Sequence, residues 1–235
     1  MKEPRVSYIV CSIPRSGSTL LCELLGRTGL AGAPDEFFSP YTMRVMMERW
    51  GVETLAEYVQ ELFARELSPN GVFGAKAHWT QYESAFGRTD PGELLPHVRF
   101  VCITRRDRLR QAVSWARAQQ TGKFHAQDPA RAEAAKFDAD HIAQMLKRIE
   151  REEQRWESTF ARLANAPHRV VYEDLIAAPD ETVREVLALL AVEAPADLHI
   201  PPPRLERQAD ALSNEWVERY LAGTTTSPGH APGGA

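Results

Sequence analysis

No apolar run in this chain of 235 residues approaches the roughly 20 residues that a membrane-spanning helix needs. The opening stretch "MKEPRVSY" carries no apolar core of the kind that marks a secretory leader. Strong charge is missing too: the net charge is −4, which argues against a nucleic-acid coat or a polybasic membrane-surface protein. Cysteine is scarce. Cys11, Cys22 and Cys102 form an odd, unspaced set that suits reduced thiols better than a disulfide framework or a zinc site. These absences lead us to expect a soluble, cytoplasmic protein with reduced thiols and no metal site. A polyanionic ligand, if one binds, must be held locally by arginines and backbone N–H groups, because the overall field does not attract it.

What is present is an alternation of strand-like and helix-like segments. "SYIVC" reads as a short buried strand, with a helix from Ser18 that aligns Leu20, Leu21, Leu24 and Leu25. "GAPDEFF" is a Gly/Pro turn, and residues 42–67 read as helix, with Leu55, Val59 and Leu62 at helical spacing. "GVFGAKAHW" and "VRFVCITR" read as strands. A helix is expected over about 109–120, a polar loop or lid over 121–137, and a long amphipathic helix over about 138–164. "HRVVYEDL" reads as a further strand, followed by a helix with Asp180 as its N-cap. The Gly/Pro/Thr-rich end, residues 222–235, reads as a disordered tail behind a single domain over 1–221. The alternation predicts an α/β fold: a central parallel sheet flanked by helices, with its ligand site at the carboxyl ends of the strands.

Two loops should open on that edge. "SIPRSGST" joins the first strand to the first helix. Gly17 permits a close approach of backbone to ligand. The N–H groups of residues 15–19 sit at a helix N-terminus, where the dipole favours an anion. Ser16, Ser18 and Thr19 add hydroxyls, and Arg15 adds a permanent, bidentate charge. An NTP-binding loop of the form G-x-x-x-x-G-K-S/T is excluded, because no glycine lies five residues before Gly17 and Ser18 stands where the lysine would be. A capped turn beside a solvated arginine is the plainer alternative. The second segment, "ITRRDRLRQAVSW", puts Arg105 at a strand end and Ser114 one or two turns into the next helix. That pairing suits a second phosphate, while some of Arg106, Arg108 and Arg110 are simply solvated.

With these two loops in place, and "VVYEDL" after them, the chain resembles the nucleotide-binding framework of sulfotransferases that use 3′-phosphoadenosine 5′-phosphosulfate (PAPS). "SGSTLL", "APDEFF", "NGVFGAKAHWTQ", "QAVSWARAQQTG" and "LERQADALSNEWVERY", in this order, resemble the bacterial trehalose 2-sulfotransferase-type family. The resemblance implies a P-loop-like sulfotransferase fold and transfer of a sulfuryl group from PAPS to a hydroxyl, leaving adenosine 3′,5′-bisphosphate. It assigns the 5′-phosphosulfate to Arg15, Ser16, Gly17, Ser18 and Thr19, and the 3′-phosphate to Arg105 and Ser114. Arg207 is a further candidate for the 3′-phosphate, or else half of a surface ion pair with Glu206 or Asp210. Tyr172 is placed near the adenine. Arg15 is read as electrostatic stabiliser of the leaving phosphate, since arginine is a poor proton donor.

The resemblance puts the base that takes the acceptor proton at Glu36, with Asp35 and His78 as rivals. A neighbouring Phe37 and Phe38 would desolvate Glu36 and raise its pKa. Phe37, Phe38, Lys76, His78 and Trp79 are candidates to line the acceptor pocket, the aromatics by stacking on a sugar ring or, equally, as core. The segment between Glu36 and Gly71 is short beside trehalose-specific members, whose extra length there helps form the acceptor region. The expected acceptor is therefore a carbohydrate or another hydroxylated metabolite rather than trehalose in particular. Family members are dimers, which makes a homodimer the expected partner state. A small-molecule kinase and a non-catalytic nucleotide-binding protein are the competing readings. The first predicts a loop lysine and a metal-binding carboxylate at a strand end.

Overall fold

The computed structural model describes residues 3–124, 135–200 and 211–225. These divide into two compact units, one drawn from Met1–Arg106 and Glu150–Arg204, the other from Asp107–Ile149 and Leu205–Ala235.

The first unit holds a four-stranded sheet of β1 (Val6–Ser12), β2 (Val72–His78), β3 (Arg99–Thr104) and β4 (His168–Val171) in the order β2-β1-β3-β4. All three pairings are parallel. Every residue of β1 is buried, as expected for a central strand covered on both faces, whose sequence reads as a continuous apolar run. The register puts Val6, Tyr8 and Val10 level with Val72, Gly74 and Lys76 on one side and, from Tyr8 onward, with Arg99 and Val101 on the other. That face is aliphatic. It packs on Leu21, Leu24 and Leu25 of α1 (Ser18–Arg27) and on Val183, Val186 and Leu187 of α8 (Pro179–Leu189). Gly74 is needed there: a Cβ would lie 2.6 Å from the Tyr8 ring, whose hydroxyl donates to Ala31 O at 2.9 Å. The opposite face is aromatic. Phe100 meets Phe160, which stacks on Trp156, which in turn meets Tyr82 of α4 (Trp79–Phe86).

Between α1 and β2, residues 42–67 are two helices, not the single one expected. α2 (Pro40–Trp50) ends at Gly51, which takes the left-handed φ of 67° that stops a helix cheaply. α3 (Leu55–Glu66) restarts from a capping box, with Thr54 accepting from Glu57 N and Glu57 accepting from Thr54 N. Three other boundaries differ from the sequence reading. Trp79 opens α4 instead of ending β2. The strand in "HRVVYEDL" stops at Val171, and Tyr172 begins α7 (Tyr172–Ala177). Asp180 is not the N-cap of α8: Ala178 is, with Pro179 at the first position. Asp180 instead accepts the N–H of Ile200 at 3.2 Å, tying down the chain beyond the helix.

The second unit contains α5 (Arg108–Thr121), the first part of α6 (Ala139–Leu163) and α9 (Ala211–Thr225). Asp107 caps α5 by accepting Arg110 N at 2.9 Å. Arg117 donates to Ser213 and Arg110 to Asn214, joining α5 to α9. The helix therefore runs through Thr225, into the stretch read as a tail; residues 226–235 lie outside the described residues. No helix among the described residues is long and apolar enough to cross a membrane. All three cysteines are buried, unpaired thiols.

Candidate active site

With β1 at the centre and its neighbours β2 and β3 reached in opposite directions, the sheet has its topological switch point beside β1, where the carboxyl ends of the strands form a crevice. The loop Ile13–Gly17 occupies that edge. Its backbone is unusual: Arg15 has φ 66° and Gly17 has φ 94°. A non-glycine residue in that region costs about 1–3 kcal/mol and persists where surrounding structure holds it, commonly at binding sites. Gly17 is the N-cap of α1 and offers no side-chain cap to the first-turn N–H groups, which leaves them for a ligand. Ser16 is fully buried and its Oγ has no hydrogen-bond partner. An orphaned buried hydroxyl beside an uncapped helix N-terminus is what an anion seat presents before its anion arrives.

Tyr172 connects this loop to β3. A Cβ on Gly17 would lie 2.3 Å from Tyr172 Cδ2, so the ring lies against the loop backbone. The guanidinium of Arg105 stacks over the same ring, its Cζ 4.8 Å from the centroid. One side chain thus touches both the first anion loop and the arginine expected to hold a second anion. Arg105 also faces Glu173, Nε to Oε1 at 3.9 Å. Ser114 lies on α5 in the second unit. Arg207 lies outside the described residues.

On the other side of the loop, Lys76 joins the cradle to Glu36. Its side chain is 4% exposed, and Nζ meets Glu36 Oε1 at 2.8 Å while donating to Thr19 Oγ1 at 3.3 Å. Glu36 Oε2 accepts from Gln81 Nε2 at 2.7 Å. Gln81 Oε1 accepts the His78 N–H at 2.8 Å, so the start of α4 and the carboxylate are locked together. His78 lies with Nε2 3.7 Å from Glu36 Oε1 and Nδ1 3.0 Å from Ser12 Oγ.

This network overturns one expectation. Burial does push the Glu36 pKa up, but the Lys76 and His78 charges and the hydrogen bonds from Lys76 and Gln81 outweigh it and bring it from 4.5 down to about 2. Glu36 is an ionised, weakly basic carboxylate. Burial pulls Lys76 down, and Cys22 and Glu36 around it raise it overall, which keeps it an ammonium. Asp35 is exposed, with its Oδ1 accepting the Glu36 N–H at 2.7 Å and its carbonyl accepting Lys76 N at 2.8 Å. It shapes the turn that presents Glu36.

The aromatic candidates divide. Phe37 stacks on Phe73, and Phe38 packs on Phe86; both are buried core and offer no ring face to a sugar. Trp79 donates to Thr159 Oγ1 at 3.2 Å, with Arg155 4.4 Å over its ring. Sequence reasoning missed Gln81, Ser12 and Glu173. Only Gln81 carried a local signal: a polar residue three positions after the residue preceding a helix.

A cradle at the first strand-to-helix turn of a parallel sheet, beside a second arginine and an ionised carboxylate, is the arrangement of an α/β protein equipped to hold an anion for group transfer. Comparison with known proteins names the class more closely: residues 7–223 match the family model for Stf0 sulphotransferase, and the chain belongs to that family and is a sulfotransferase. The trehalose 2-sulfotransferase of Mycolicibacterium smegmatis is 32% identical over 260 aligned positions, covering 94% of this chain and 96% of that protein. That of Mycobacterium tuberculosis is 32% identical over 254 positions, covering 92% and 94%. Among solved structures, a sulfotransferase from Alicyclobacillus acidocaldarius shares the fold at 15% identity and a TM-score of 0.52, covering 95% of this chain and 97% of that one.

Proposed function

We propose that the protein transfers the sulfuryl group of PAPS to a hydroxyl of a sugar or similar small acceptor. The observation that carries this is the Tyr172 ring, which lies against Gly17 on one side and under Arg105 on the other. It holds two anion sites at the spacing of one side chain, as a nucleotide with phosphates at both ends of its ribose requires. The similarity to trehalose 2-sulfotransferases over nearly the whole chain supports a carbohydrate acceptor.

In this reading the N–H groups of the α1 first turn, Ser16 and Arg15 hold the 5′-phosphosulfate, Ser18 and Thr19 adding hydroxyls. The bond from sulfur to the bridging oxygen breaks, and the charge that grows on the leaving 5′-phosphate meets fixed donors and Arg15. Lys76 sits between Thr19 and Glu36, where it can face the transferring group and the carboxylate together. The acceptor oxygen forms the new bond to sulfur and gives its proton to Glu36. A pKa of about 2 makes Glu36 a weak base. That suits a loose transition state, in which the acceptor becomes strongly acidic only as the bond to sulfur forms. His78 and Gln81 hold the carboxylate. Arg105 takes the 3′-phosphate, and Tyr172 borders the adenine.

Radiolabelled PAPS incubated with a panel of mono- and disaccharides, trehalose included, tests this. Label should pass to at least one sugar, and adenosine 3′,5′-bisphosphate should raise the melting temperature without added magnesium. Stabilisation by ATP with magnesium but not by the bisphosphate would overturn the proposal.

A further inference from the structure

The first turn of α7 grips the end of β3 with three consecutive side chains, and the middle one has no role in the chemistry above. Tyr172 supplies the ring under Arg105. Asp174 takes Arg106, both carboxylate oxygens within 2.9 Å of Nη2. Glu173 reaches the arginine pair between them: Oε2 accepts the Arg106 backbone N–H at 2.9 Å, and Oε1 faces Arg105 Nε at 3.9 Å. We infer that Glu173 is a positioning residue for Arg105, and through it sets how strongly the nucleotide site discriminates in favour of a 3′-phosphate. This rests on the reading of Arg105 as the 3′-phosphate ligand.

The two ion pairs on this turn are physically different. Arg106 and Asp174 are 60% and 63% exposed, so water screens them and they fix little. Arg105 and Glu173 are 13% and 26% exposed. A guanidinium that far out of water needs a nearby negative charge, yet a carboxylate placed on its phosphate-binding edge would compete with the ligand. Glu173 stands at the Nε side, too far for a hydrogen bond, and the ring of Tyr172 covers one face. Charge on one edge and a ring on one face together fix the guanidinium plane. The short hydrogen bond to Arg106 N anchors the carboxylate itself, by holding the backbone immediately after Arg105. Loss of Glu173 should therefore loosen the hold on the Arg105 guanidinium, and the 5′ end of the ligand should not notice.

The test compares the affinities of adenosine 3′,5′-bisphosphate and adenosine 5′-monophosphate by calorimetry. Glu173→Ala should cut the preference for the bisphosphate by about fivefold or more, with 5′-monophosphate binding within about twofold of the parent chain. Glu173→Gln keeps an oxygen for the Arg106 N–H but removes the charge beside Arg105 Nε, and should cut the preference measurably but by less than Glu173→Ala. If Glu173→Ala does not fold, Glu173→Asp, whose arm is shorter by one methylene, is read by the same criteria. Equal losses for both ligands, or an unchanged preference, would overturn the inference. Arg105→Ala separates it from the reading beneath it: if the parent chain prefers the bisphosphate and Arg105→Ala does not reduce that preference, the 3′-phosphate assignment fails, whatever Glu173 does.

Discussion

Replacing Gly17 by alanine perturbs both anion sites through a single methyl group. Gly17 has φ 94°, and an L-residue held in left-handed backbone costs about 1–2 kcal/mol. The added Cβ would also lie 2.3 Å from Tyr172 Cδ2 and 3.2 Å from Cγ. Those atoms are near the root of the ring, so the clash is relieved by moving the whole ring rather than by bending a flexible tip. Moving it takes the ring from beneath Arg105 and forfeits a cation–π contact worth roughly 0.5–2 kcal/mol. Together the losses come to about 2–4 kcal/mol, which for a chain of this size lowers the melting temperature by about 4–16 °C. Any part of the loss expressed in ligand binding weakens the bisphosphate tenfold for each ~1.4 kcal/mol. Differential scanning calorimetry and titration calorimetry read the two effects. The Gly17→Ala/Tyr172→Ala pair isolates the clash, because alanine at 172 removes the ring and leaves the backbone strain. The two substitutions should couple by about 1–2 kcal/mol, in the direction that makes the double variant less damaged than the sum. Wild-type melting and binding for Gly17→Ala, or strict additivity, would refute the placement of Tyr172 against the loop.

The remaining predictions concern the carboxylate and its partners. Glu36→Gln should keep bisphosphate binding within a few-fold of the parent chain and lose most sulfuryl transfer; unchanged turnover would remove Glu36 from the chemistry. Because Glu36 is held at about 2 against an ordinary 4.5, its contribution to stability is present above pH 4.5 and disappears as pH falls toward 2, with an upper bound on the order of 3 kcal/mol. Urea titrations across that window should show the loss, and Lys76→Met should shrink it by removing the leading attractive charge. Gln81→Leu should raise the Glu36 pKa and shift the acidic limb of the rate profile to higher pH, while nucleotide affinity stays near that of the parent chain.

The sheet and the anion loop were legible because their signals are local. A β-rich apolar run, a glycine before a helix and an arginine at a strand end need no knowledge of distant residues. Helix breaks were less legible: Gly51 and the Thr54–Glu57 capping box divide α2 from α3, but an amphipathic pattern that continues across them masks the interruption. The direction of the Glu36 pKa could not be read at all. Its neighbours in sequence, Phe37 and Phe38, argue for desolvation, whereas the group that decides, Lys76, arrives from β2 through the register Val10↔Lys76 and the Asp35↔Ala75 bridge. Glu173 was hidden for the same reason, since its partners Arg105 and Arg106 directly follow β3, the strand paired with β4.

A structure with adenosine 3′,5′-bisphosphate bound bears most directly on the central claim, that one nucleotide bridges the β1–α1 loop and the end of β3. The 5′-phosphate should accept from the backbone N–H groups at the start of α1, and the 3′-phosphate should contact the Arg105 guanidinium with Tyr172 still beneath it. A bisphosphate seated with either phosphate away from these groups would contradict the account.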